Sequence, residues 1–423
     1  MKHVHTLFFL VILLGCTNSS SQKNLEKSNV TLEPIFKMPK DAIPFQFDGR
    51  HIIIQAEMND SVEISLILDT GAQFPFFDST FITKNENKLK IIRKPANYKL
   101  QTMNGMISIN SRIGGKIRLK VFNETFTEDG ALMIADLRHV VFGADAVVPA
   151  YTYFENKIVL IDLQHQYLRI LSQDTLNNLK KKFLSFPLQG NQFSYFTVAS
   201  DLDMVINKTM NIKTKGELII DLGAPGLLYL FKNHKSVGSA IPAQLKPLKV
   251  KYAPFQGNDT TIQDQIFTDN LSLLNAFNFQ NARVVLSAHN DQSLNHANRI
   301  GLLGNEFLRK FIVIIDYKNK QLYLRPGPEY FKPCKNSNLG MTLYKDLDGK
   351  AYIVTGIYEK STPAYAGIQL NDKILTINER LTDNMSYKEI DSIRFSPVGT
   401  KLILKIKRGQ QVFNREIIIQ SLW

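Results

Sequence analysis

The sequence predicts a mainly β protein: two pseudo-symmetric β-barrel lobes followed by a smaller C-terminal module. Three observations carry this. Short apolar runs alternate with turn residues, a set of motifs recurs after roughly 150 positions, and the pattern changes beyond Pro326-Gly327-Pro328.

The chain has 423 residues, and at about 150 per domain it should hold two to four domains, each able to bury its own core. Hydrophobic residues are 44% and charged residues 21%, so neither wholesale disorder nor a polytopic membrane protein fits. The apolar stretch from Leu7 to Gly15 follows the basic start Met1-Lys2-His3. It is too short for a spanning helix, which needs roughly 20 residues, and reads as a signal peptide over 1–15. Leu13-Leu14-Gly15-Cys16 resembles the lipobox of bacterial lipoproteins, which implies cleavage before Cys16 and lipid on that residue. Cys334 would then be the single thiol of the mature chain, so stability must come from packed cores instead of disulfides. The polar run from Thr17 to Asn24 opens a tether expected over 16–42.

From about Ile43 the runs become strand-like. Examples are Ile52-Ile53-Ile54, Glu63-Ile64-Ser65-Leu66-Ile67-Leu68, Ile117-Arg118-Leu119-Lys120-Val121, Ile158-Val159-Leu160-Ile161 and Phe311-Ile312-Val313-Ile314-Ile315. Long amphipathic helices are rare. The repeat divides this stretch. Leu66-Ile67-Leu68-Asp69-Thr70-Gly71-Ala72 recurs as Leu218-Ile219-Ile220-Asp221-Leu222-Gly223-Ala224, with the aspartates 152 positions apart. Val140-Val141-Phe142-Gly143 is matched with Leu302-Leu303-Gly304 at a spacing of 161. Ile161-Asp162-Leu163 and Leu168-Arg169-Ile170 recur as Ile315-Asp316-Tyr317 and Leu322-Tyr323-Leu324, the aspartates 154 apart. Two homologous lobes are expected, over 43–180 and 181–330.

An aspartate after three buried-type residues is costly unless its charge has a partner or a purpose. At a strand end, followed by a hydroxyl and glycine, its carboxylate can accept hydrogen bonds from a tight turn. Two such turns from pseudo-symmetric lobes can meet. Like charges a few ångströms apart cannot both ionise, so the pair shares a proton and supplies a base and an acid. A water between them can then attack a peptide carbonyl without a covalent intermediate.

With these turns the sequence resembles the pepsin and retropepsin class of aspartic proteases, and more closely the bacterial retropepsin-like lipoproteins that carry a PDZ domain. The resemblance covers about Ile43 to Pro326, and is sharpest from Gly301-Leu302-Leu303-Gly304-Asn305-Glu306-Phe307-Leu308 through Asp316-Tyr317 to Leu324. It implies that Asp69 and Asp221 are the catalytic pair, with Thr70, Gly71 and Gly223 shaping their turns. It also places a substrate-covering flap hairpin at Gln101-Thr102-Met103-Asn104-Gly105. One departure stands out. The family places Thr or Ser after each catalytic aspartate; Thr70 complies, but the second lobe has Leu222, so that half of the cross-loop hydroxyl network must be missing or replaced by backbone or water.

Over 336–423 the run from Ser361-Thr362-Pro363-Ala364 through Ala366-Gly367-Ile368 to Asn371-Asp372-Lys373-Ile374-Leu375-Thr376-Ile377-Asn378 looks like the bacterial PDZ signature. The resemblance implies capture of a peptide C-terminus by strand addition, with Leu339, Gly340 and Met341 in the loop that receives the carboxylate. Packing of this module on the lobes as a brace is the plainer alternative.

Other classes are disfavoured. No Gly-x-Ser-x-Gly elbow exists, Cys334 lies in a linker, and there is no P-loop, dinucleotide fingerprint or zinc-spaced Cys/His cluster. The net charge of +13 is spread along the chain without a nucleic-acid signature, which suits a solvated surface near anionic lipid. The expectation is an aspartic endopeptidase of the cell envelope, lipid-anchored on the periplasmic side of the outer membrane, with no cofactor, no metal and no nucleic-acid partner. Its partners would be a peptide or protein substrate and, at the PDZ domain, a peptide C-terminus. The alternative is a non-catalytic, membrane-tethered peptide-binding or scaffold protein with the same fold.

Overall fold

The structure is a computed structural model that describes residues 38–48, 50–102, 105–121, 124–129, 132–137, 144–191, 194–253, 260–288, 298–346 and 350–422. The expected signal peptide, Cys16, most of the tether, Met103, Asn104 and the run 140–143 lie outside them. From Lys40 to Trp423 the chain is one compact unit. It is mainly β. Among the described residues no helix is long and apolar enough to cross a membrane.

Both lobes position an aspartate in the same way. In lobe 1 the strands Ile52–Met58 and Val62–Asp69 form a hairpin with Ile52 opposite Leu68. The strand Ala146–Pro149 then joins in parallel, placing Val148 opposite Leu68 and Pro149 opposite Asp69. In lobe 2 the long hairpin Ser194–Asn207 and Met210–Ile220 is joined in parallel by Arg299–Leu303, with Leu303 opposite Ile220. Inner parallel strands are covered on both faces and therefore read as unbroken apolar runs.

These registers correct one part of the repeat. The lobe-1 counterpart of Leu302-Leu303-Gly304 is Val147-Val148-Pro149, not the run 140–143. Val148 and Leu303 are 155 positions apart, in line with the other two spacings, whereas 161 was discordant. Proline stands where lobe 2 has glycine, so a search for apolar-apolar-Gly passed over the true partner.

The lobes meet in a six-stranded antiparallel sheet. At its centre Ile158–Asp162 pairs with Phe311–Asp316, with Ile158 opposite Asp316, Leu160 opposite Ile314 and Asp162 opposite Ile312. Shifting every residue number by 154 maps these pairs onto one another, so the pseudo-twofold axis passes at Leu160 and Ile314. Tyr167–Leu171 and Gln321–Pro326 flank the centre, and Ile43–Pro44 and Leu184–Asn191 close the edges. The repeated Asp162 and Asp316 have a structural task here. Each is buried at the end of its central strand, where Asp162 Oδ1 accepts from the Gln164 and His165 N–H groups and Asp316 Oδ1 from that of Asn319. One apolar core, from Ile43 to Cys334, runs through both lobes.

Residues beyond the lobes build a separate core, which includes Leu339, Met341, Val354, Ile374, Ile390, Leu404 and Ile417. Around it lie the strands Met341–Lys345, Tyr352–Tyr358, Lys373–Ile377, Lys401–Arg408 and Gln411–Ile418. The helix Tyr387–Arg394 starts with a capping box of Ser386 and Glu389. Among the described residues Met341–Lys345 pairs with no strand other than Tyr352–Tyr358.

This module docks firmly. Tyr352–Tyr358 pairs antiparallel with Leu248–Tyr252 of lobe 2, with Val250 opposite Tyr358. Behind that pairing, Arg283 Nη1 donates to the Tyr358 hydroxyl at 3.2 Å, which donates to Gln265 Oε1 at 3.1 Å. Arg283 also faces Glu306 at 3.6 Å. On the lobe-1 side the Arg50 guanidinium sits 3.5 Å from the centre of the Tyr344 ring.

Candidate active site

The strands Val62–Asp69 and Met210–Ile220 bring Asp69 and Asp221 together at the lobe interface. Gly71 N–H donates to Asp69 Oδ1 at 2.6 Å, and Asp221 Oδ1 accepts from the N–H groups of Gly223 at 2.8 Å and Ala224 at 3.0 Å. Each carboxyl group lies against the opposite lobe's glycine, close enough for the two acids to shift each other's ionisation. Burial pushes both above the ordinary carboxylate range. The charge of Asp69 pushes Asp221 up further, while the N–H of Gly71 and the nearby His51 offset part of the rise at Asp69. Both acids are therefore held toward the protonated form, and with two like charges so close the proton belongs to the pair.

Two glycines make this approach possible, and for a reason the sequence did not show. Neither lies in the left-handed region, where a turn alone would demand glycine. Instead, a Cβ on Gly71 would stand 2.6 Å from Asp221 Oδ1, and one on Gly223 would stand 2.3 Å from Asp69 Oδ2. Each glycine vacates space that the opposite lobe's carboxylate fills.

Thr70 ties the loops together. Its hydroxyl donates to the Ile220 carbonyl at 2.7 Å and accepts from the Leu222 N–H at 2.8 Å. Leu222, at the equivalent position, is buried in the shared core and has no polar side-chain atom to return the favour. Beside this turn stands a side chain from a third element. Asn305, fully buried at the start of the helix Asn305–Leu308, donates through Nδ2 to the carbonyls of both Leu222 in lobe 2 and Arg50 in lobe 1.

Close by, the Tyr229 hydroxyl accepts from Gly226 N–H at 3.1 Å, and burial pushes its phenol up to about 12. His51, 9% exposed, is held by its own N–H to Asp48 Oδ1 at 2.7 Å.

Asp69, Thr70, Gly71, Asp221 and Gly223 thus converge on one place. Thr102 and Gly105 form the closing pair of the hairpin Ile92–Thr102 and Gly105–Gly114, while the turn residues Met103 and Asn104 of the expected flap lie outside the described residues. Leu339 and Met341 point into the C-terminal module's core, and Gly340 adopts φ +75 with Ser361 packed where a Cβ would project. The Leu339 N–H is already bonded to Ser337 Oγ at 3.3 Å. Sequence reasoning missed Arg50, His51 and Asn305. Asn305 follows the apolar-apolar-Gly run directly, but nothing in its identity marks a bridge.

No family profile matches the chain, and no curated protein sequence matches it. Among solved structures, the chain is similar to the crystal structure of an aspartic proteinase from Irpex lacteus, at 11% identity over 69% of this chain and 98% of that one, with a TM-score of 0.42.

Proposed function

We propose that this protein is an aspartic endopeptidase, tethered to a membrane through lipid on Cys16, whose C-terminal module is a PDZ domain that binds peptide termini. The observation that carries the reading is the pairing of Asp69 and Asp221 in one shared-proton unit at the junction of two homologous lobes. In this mechanism a water lies between the carboxyl groups. Asp69 takes its proton as the oxygen attacks the scissile carbonyl carbon, and Asp221 gives its proton to the carbonyl oxygen. As the tetrahedral diol collapses, the proton on Asp69 passes to the leaving amine and Asp221 recovers its own. The C–N bond breaks and two peptides leave, with no covalent enzyme intermediate.

The strand Met341–Lys345, which has one described strand partner and lies beside a loop containing a left-handed Gly340, supports strand-addition binding of a peptide. Peptide hydrolysis by the purified chain from acidic to neutral pH, with Asp69→Asn and Asp221→Asn as controls, tests the enzyme reading. Equal inertness of all three on a broad peptide library would sink it. Leu222 favours the second reading, a peptide-binding protein that does not cut; tight binding of peptides that stay intact would support it.

A further inference from the structure

We infer that Asn305 is a positioning residue for the aspartate pair, a cross-lobe clamp that replaces the hydroxyl missing at position 222. The inference deepens the protease reading and rests on it.

Consider what a hydroxyl at 222 would supply. By symmetry with Thr70, which bonds the Ile220 carbonyl and the Leu222 N–H, it would meet the Leu68 carbonyl and the Thr70 N–H and pin the two acidic turns to each other; Asn305 ties the lobes through different atoms. Leu222 cannot, so through Thr70 alone the interlock is one-sided. Asn305 supplies the second side by other means. Its Nδ2 carries two hydrogens, and two carbonyl oxygens from different lobes face it: Leu222, next to Asp221, and Arg50, just before the strand that pairs with Val62–Asp69. Two acceptors leave only the amide nitrogen as the atom that fits between them, which fixes the orientation of the side chain. A leucine there could not donate, and a carboxylate would set its lone pairs against two carbonyls.

The clamp is also well anchored. Asn305 N–H donates to Ala224 O at 2.7 Å, and Ala224 N–H in turn holds Asp221 Oδ1. Asn305 therefore grips the second acidic turn at two points, Leu222 and Ala224, on either side of Gly223. On the lobe-1 side it holds the backbone of Arg50, whose guanidinium is stacked on Tyr344 of the C-terminal module. The charged and titratable groups facing the pair are His51 from lobe 1 and Tyr229, with Arg283 and Arg50 farther out.

The test is a cycle between positions 305 and 222 in the full chain: Asn305→Ala, Leu222→Thr and the double variant. Two buried hydrogen bonds are lost in Asn305→Ala, so kcat is expected to fall about tenfold or more with KM little changed, and Leu222→Thr in the same chain should restore most of it. Wild-type kcat in Asn305→Ala, or a double variant no better than Asn305→Ala, would overturn the clamp. Should Asn305→Ala fail to fold, Asn305→Asp decides. Its protonated acid can still donate one of the two bonds and its ionised form neither, so activity and melting temperature should lie nearest wild type in acid and fall away from it as pH rises; a profile parallel to wild type overturns the inference. If the wild type cleaves nothing, the protease reading fails separately, and the clamp is read from melting alone. The pH span over which the pair weakens the fold should shrink in Asn305→Ala and return in the double variant. Identical spans in all chains would overturn it.

Discussion

Asp69 and Asp221 each close a strand that is flanked by a hairpin partner and an inner parallel strand, and each accepts the N–H two residues on. Beyond that the two turns diverge. The lobe-1 turn reaches across with its own hydroxyl, through Thr70, whereas the lobe-2 turn is reached by others, by Thr70 from one side and Asn305 from the other. The environments diverge too. Burial raises both acids and backbone N–H groups oppose it at both, Gly71 at Asp69 and Gly223 with Ala224 at Asp221, but His51 acts on Asp69 from lobe 1 alone. A duplicated fold has thus been finished asymmetrically, and two turns that the repeat alone leaves equivalent are held by different partners.

The strongest way to break this comparison is to remove one acid at a time. Asp69→Asn and Asp221→Asn should each lower peptide hydrolysis by about a hundredfold to ten-thousandfold, the range for a lost general base or acid, measured as kcat/KM on one peptide. Loss in only one of them would mean that the pair does not act as a unit.

Next come the glycines. Gly71→Ala and Gly223→Ala place a methyl group against the opposing carboxylate, at 2.6 and 2.3 Å before relaxation. Overpacking of this kind costs about 1–3 kcal/mol, and the carboxyl groups must separate to relieve it. Denaturant unfolding should show the cost, with activity falling further than stability explains.

Thr70→Val leaves the Leu222 N–H and the Ile220 carbonyl without their partner, for an expected loss of about 1–3 kcal/mol. Leu222→Val changes only apolar contact and should cost less. Comparable losses at 70 and 222 would contradict the one-sided interlock.

The pH dependence sharpens the assignment of the shared proton. An acid whose pKa is raised on folding favours the native state fully below its unfolded value, about 4, and that favour is lost as pH rises through the folded value. Stability should therefore drain away above about pH 4 by way of the pair. Asp48 and Asp264 act oppositely, held below the ordinary range by His51 and by Lys232 with Lys249. The quantity to measure is accordingly the difference between wild type and Asp221→Asn across pH, which isolates the pair. A flat difference would show that Asp221 titrates normally.

The smallest effect is expected at the module contact. Tyr344→Ala removes the cation–π stacking on Arg50, worth about 0.5–2 kcal/mol, and should loosen docking without unfolding the lobes, visible as faster amide exchange in Leu248–Tyr252.

Much of this was written in the chain. Apolar runs broken by Asn, Asp and Gly define strands through local geometry, and duplication forces two such sets to pack alike, so the mainly β fold and the paired Asp-x-Gly turns were legible. The spacing of Asp162 and Asp316 gave a repeat offset, and the strand pairing then located the pseudo-twofold axis. Local sequence could not say that Val147-Val148-Pro149 is the inner strand of lobe 1, because proline and glycine satisfy the same chain end by different means. Nor could it say why Gly71 and Gly223 must be glycine. That reason lies in a carboxylate about 150 residues away, brought within contact distance only by closure of the two lobes. Asn305 is the clearest case. An amide near a short helix has no signature, and its meaning arises when two carbonyls, one from each lobe, arrive at one nitrogen. Sequence determines what each segment buries and where it turns; which buried polar atoms meet across an interface is decided by the packing of the whole.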